Sequence, residues 1–148
     1  MSPSDPYDLQ RFLNAQEGVL DTALGEVRAG SKRTHWMWFV FPQLVRLGCS
    51  STARFYAIGS LDEACAYLAH PVLGPRLAEC TEAVLAHRGR GAEAIFGSVD
   101  AMKFRSSMTL FEAAADGAGT YGQALDSFFG GMRDTATLAL LAREGPAG

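Results

Sequence analysis

From Leu9 onward, apolar residues return every three or four positions: Leu9, Phe12, Leu13, Leu20, Ala23, Leu24 and Val27. That period belongs to the α-helix and lines one face with a single stripe. The competing period is missing: valine and isoleucine are few, and no alternating run reaches useful strand length. The fold class expected is all-α. Local punctuation divides the chain into many short helices. Asp5 suits the cap of the first, Pro6 its first position and Gly30 its stop. A second helix is expected from about Thr34, and Pro42, lacking a backbone N–H, should kink or end it. Ser50 or Ser51 opens a short helix through Phe55, Tyr56 and Ile58, closed by Gly59. Ser60-Leu61-Asp62-Glu63 has the form of a capping box, opening a helix through Tyr67. Pro71, Gly74 and Pro75 mark a break before a helix over 76–87, with Leu77, Cys80, Val84 and Leu85 inward. One helical turn is expected over 92–96. Ser98 caps a helix to about Ala115, with Met102, Met108, Leu110 and Phe111 available for burial. After a flexible loop over 116–119, helices follow over 121–129 and, capped by Asp134, over 135–143. The expectation is a single domain over 5–143, an irregular array of long and short helices, with 144–148 a disordered tail.

A chain of 148 residues is long enough for one buried core. Its 48% hydrophobic and 20% charged residues exclude a disordered composition. A net charge of −3 argues against a general electrostatic grip on nucleic acid, leaving only a local basic patch at Lys32 and Arg33. No apolar run approaches the ~20 residues of a membrane span. The opening segment MSPSDPYDLQ lacks the charged and apolar regions of a signal peptide, so a cytoplasmic location is expected. Cys49, Cys65 and Cys80 are odd in number with no CxxC, and read as free buried thiols in a reducing compartment. His35, His70 and His87 lack zinc-ligand spacing, and there is no P-loop, GxSxG or GxGxxG. Neither a metal nor a cofactor is expected.

Two stretches carry the candidate chemistry. In SKRTHWMWFVFPQL, Lys32, Arg33 and His35 precede both tryptophans of the chain, Trp36 and Trp38, with Gln43 beyond. Cations beside flat aromatic surface suit a planar anion, although an aromatic helix is more often core. The tryptophans are two apart and point to different sides, so one can pack while the other faces a pocket. In IFGSVDAMKFRSSMTLF, six polar side chains interrupt apolar ones: Asp100, Lys103, Arg105, Ser106, Ser107 and Thr109. Asp100, Lys103 and Ser106 share a helix face. This reads equally as a pocket floor or as an acidic first turn with an i, i+3 ion pair. Arg54 follows the aromatic block and could reach the same place.

These stretches resemble the bacterial DUF1810 family. The resemblance runs through KRTHWMWFVFPQL, ARFYAIGSLDEACAYLAHPVLGPRLAEC, AIFGSVDAMKFRSSMTLF and FFGGMRDTATLALL, from Asp5 to Leu141. It implies the irregular helical fold of a small mycobacterial hypothetical protein and no established activity. The "calpastatin" label attached to some members fits poorly, because that inhibitor is disordered and this composition is globular. LGPRLAECTEAVLAHRGRGAEAIFGSVD is similar, more distantly, to NADAR (YbiA-like) domains, helical proteins associated with ADP-ribose and N-glycoside chemistry. There an aspartate precedes Trp-Gly, whereas Asp100 precedes Ala101 and Met102.

The functional expectation is a small domain binding a planar, anionic, nucleotide-like small molecule, with N-glycosidic hydrolysis as the reaction if there is one. Trp36 or Trp38 would stack on it. Lys32, Arg33, Lys103 and Arg105 would take its phosphate or carboxylate, with His35, Arg54, Ser106 and Ser107 nearby. Asp100 would orient a cation or act as base beside Lys103. The alternative is a non-catalytic protein-interaction module presenting the same aromatics as an exposed patch.

Overall fold

The computed structural model describes residues 5–45, 50–116 and 119–144. Among them are ten helices and no strand: α1 (Gln10–Gln16), α2 (Leu20–Arg28), α3 (Met37–Val40), α4 (Ser51–Tyr56), α5 (Leu61–Ala69), α6 (Leu73–Leu85), α7 (Ala92–Phe96), α8 (Ser98–Ala114), α9 (Thr120–Phe129) and α10 (Thr135–Arg143). The fold is all-α. No described helix is long and apolar enough to cross a membrane. Cys49, the centre of the loop over 116–119 and the tail from 145 on lie outside the described residues.

Helix α8 is the axle of the molecule. It packs on α5, α7, α9 and α10, while α6 bridges α5, α9 and α2. From Ser106 to Phe111 every residue of α8 is buried. A helix enclosed on all sides has no solvent face to carry Glu or Lys. That is the physical reason for Ser106, Ser107 and Thr109: small side chains let neighbouring helices approach. Thr109 satisfies its own hydroxyl, donating to the Arg105 carbonyl at 2.8 Å and accepting from the Asp134 amide at 2.9 Å. Around the N-terminal half of α8 lies an aromatic cluster. Phe104 meets Phe41 edge-on at 5.0 Å and stacks on Phe96 at 4.9 Å.

Several helix boundaries differ from expectation, each for a local reason. The first apolar stripe is split between α1 and α2, because Gly18 turns the chain at φ +77. Asp5 still caps the start, accepting from the Leu9 and Gln10 amides at 2.8 and 3.0 Å. The helix expected from Thr34 begins at Met37, since residues 33–36 are strapped to α2 by Glu26. Ile58 does not extend α4. It forms an isolated parallel bridge with Leu44, its amide donating to the Gln43 carbonyl at 2.8 Å. Helix α6 starts at Leu73 rather than 76, with Pro75 in the first turn, where its missing N–H costs nothing. Gly97, at φ +82, occupies the cap position expected of Ser98, which is the first helical residue. Met102 is 58% exposed instead of buried, and Cys65 is exposed rather than core; Cys80 is buried as expected.

Candidate functional site

The start of α8 and the loop after α2 are far apart in sequence but meet in space. The Lys32 amide donates to the Ile95 carbonyl at 2.7 Å, pinning the loop beside α7 and the first turn of α8. The Lys32 side chain then runs inward and is only 6% exposed. Its ammonium reaches the Asp100 carboxylate at 2.8 Å and donates to the Thr34 carbonyl at 2.6 Å. Lys103 approaches the other Asp100 oxygen at 3.4 Å. Asp100 therefore sits between two ammonium groups, and the formal charges of these three side chains sum to +1. Lys32 is not a solvated surface lysine: burial obliges it to have a partner, and Asp100 provides it.

Both tryptophans flank this cluster. Trp36 is fully buried, with Lys32 Nζ 5.1 Å from its ring and its indole N–H donating to Glu26 at 2.9 Å. Trp38 is only partly buried, and Lys103 Nζ stands 5.2 Å from its ring. Such distances are within the range of cation–π attraction.

Glu26 had no signal in the sequence; it lies off the apolar stripe of α2 and belongs to no motif. Its carboxylate accepts from the Arg33 and Thr34 amides at 2.7 and 3.0 Å, the Thr34 hydroxyl at 2.7 Å, and Trp36. Partial burial raises its pKa, but these four hydrogen bonds to the charged form outweigh it and bring the group down to about 2. Glu26 thus holds the loop that carries Lys32.

A model of the family described as "Protein of unknown function (DUF1810)" matches residues 6–141. The chain belongs to the DUF1810 family. A crystal structure of a conserved hypothetical protein from Mycobacterium tuberculosis is similar to it, at 53% identity over 93% of this chain and 99% of that one, with a TM-score of 0.90. No curated protein matches the chain.

The remaining candidate residues of this DUF1810 chain fall elsewhere. Arg33, His35 and Arg54 are exposed, and among the described residues no side-chain contact ties them to Asp100. Ser106 and Ser107 are 3% and 0% exposed, inside the packing around α8. Arg105 is two residues beyond Lys103, hence on the other flank of α8, where it lines a cavity with α7 and α9. Of the aromatic block, Trp36 and Phe41 are fully enclosed, so the patch it presents to solvent shrinks to parts of Trp38 and Phe39. Among the described residues no three His, Cys, Asp or Glu side chains gather as a metal site would require.

Proposed function

We propose that this protein binds a planar, anionic, nucleotide-like small molecule at the face formed by Trp38 and Lys103. The observation that carries the reading is the unequal engagement of the two lysines. Lys32 spends its donors internally, on Asp100 and Thr34. Lys103 has one longer contact to Asp100, remains 28% exposed, and hangs beside the ring of Trp38. A base or other flat group stacked on Trp38 would bring an attached phosphate or carboxylate to a cation with donors to spare.

Asp100 supports binding better than turnover. A general base must be free to take a proton, whereas both Asp100 oxygens touch ammonium groups. Its role in this reading is to orient Lys103; N-glycosidic hydrolysis would require it to be released on substrate binding. The interaction-module alternative loses support from the enclosure of Trp36 and Phe41.

Tryptophan fluorescence titrated with ADP-ribose, NAD and mononucleotides tests the proposal. Trp36 is shielded, so a saturable change reports Trp38. The expected result is saturation that weakens about tenfold in Lys103→Ala, the scale of one charge-assisted hydrogen bond. A flat response across the panel, or an unchanged affinity in Lys103→Ala, would sink it. Turnover of ADP-ribose or NAD that Asp100→Asn abolishes, with binding retained, would establish the hydrolase.

A further inference from the structure

We propose a second small-molecule site on the opposite flank of α8, selective for aromatic monocarboxylates. The cavity there, about 490 Å³, is lined by Arg105, Met102, Phe128, Phe129 and Glu93, with small residues of α7 and α8 between them. Arg105 is the key. Its Nε–H is buried with no hydrogen-bond partner, and among the described residues its guanidinium has no ion pair. Its guanidinium carbon stands 5.8 Å from the centre of the Phe129 ring.

A partly buried guanidinium is rarely left this way. The Nε–H is sealed off, so the donors a ligand can reach are the two terminal nitrogens, which among the described residues have no acceptor either. The planar fork of arginine matches a carboxylate or phosphate bidentately. The other walls choose between them. Phe128, Phe129 and the exposed Met102 offer an adaptable apolar surface for a flat hydrocarbon body. The Glu93 carboxylate on the same cavity repels a second negative charge, which disfavours a phosphate dianion and admits a monocarboxylate. The volume suits a ligand of one or two rings, at the low end of ordinary small-molecule sites. This inference is independent of the Trp38–Lys103 face.

The test is NMR observation of the arginine Nε–H resonances during titration with phenylacetate, its neutral isostere phenylacetamide, and inorganic phosphate. Phenylacetate is expected to shift the Arg105 Nε–H saturably, with phenylacetamide and phosphate about tenfold weaker or worse. Arg105→Met, which keeps the reach of the side chain without its charge, should abolish the saturable phenylacetate shifts of the Phe128 and Phe129 backbone amides, which line the same cavity, while Lys103→Ala leaves those shifts intact. No shift of the wild-type Arg105 resonance at millimolar phenylacetate would overturn the proposal. So would phosphate matching phenylacetate, or binding lost in Lys103→Ala but kept in Arg105→Met.

Discussion

The Asp100 carboxylate depends on two lysines that are not equivalent, and substitutions should separate them. Lys32→Met removes the enclosed ammonium and leaves Asp100 with its longer contact alone. A cost of about 2–4 kcal/mol is expected, short of the full range for a deeply buried pair because Asp100 is 21% exposed. Lys103→Ala removes the more exposed partner and should cost less than about 1 kcal/mol. Urea denaturation of both variants checks this; equal losses would contradict the asymmetry. Glu26 adds a pH signature. Its pKa falls from the ordinary 4.5 to about 2 in the folded chain, so the unfolded state binds the proton more readily. The stabilisation is fully present above about pH 4.5 and is lost as pH drops toward 2. Glu26→Gln should lower the melting temperature by about 4–8 °C at neutral pH and flatten the decline between pH 5 and 2. A parallel decline in both proteins would disprove the account. Neither role was readable from residue identity: Lys32 looks like any surface lysine and Glu26 like any exposed glutamate until the loop closes over them.

At the level of single helices, local capping chemistry proved a good guide. Ser60 accepts from the Glu63 amide at 3.1 Å, Asp134 from the Thr137 amide at 3.0 Å, and Ser50 from the Ala53 amide at 3.1 Å. Such bonds span three residues and need no tertiary partner, which is why the sequence displays them. Ser60→Ala should cost about 1 kcal/mol, measured by thermal or chemical melting. Even here one contact escapes local logic. The Glu63 side chain caps not Ser60 but Gly59, at 3.0 Å, while its other oxygen holds Arg11. Gly74 and Pro75 resemble a break in the sequence, yet both lie inside the first turn of α6, which begins at Leu73. Glycine is required there for a different reason: a Cβ would stand 2.1 Å from the Leu68 carbonyl oxygen, where α5 meets α6. Gly74→Ala must therefore move backbone apart. A loss above about 3 kcal/mol is expected, a size that marks a core disruption rather than a helix-propensity effect, with lower soluble yield as the first readout.

Across the whole molecule, Arg11 ties the N-terminal helix to the rest. Its guanidinium donates to the carbonyls of Tyr7, Asp8, Phe55 and Ala57, and to Glu63 at 2.7 Å. Arg11 and Glu63 side chains are 10% and 9% exposed. Arg11→Lys keeps the charge but not the fork, and should destabilise by about 2–3 kcal/mol in denaturant melts; a change below 0.5 kcal/mol, on the order of surface substitutions, would show the fork to be unimportant. The sequence by itself determined the all-α class, most helix positions and the two stretches that form the candidate site, because periodicity and caps act over a few residues. Its aromatic block also held one buried and one partly exposed tryptophan, as their two-residue offset implies. Only the tertiary structure decided that Lys32 and Lys103 converge on Asp100, that Arg105 faces another cavity, and that the serines of α8 serve packing. Those outcomes depend on which helices surround α8 and on a loop held by Glu26, contacts between residues tens of positions apart whose energy is set by burial, and burial is a property of the assembled fold.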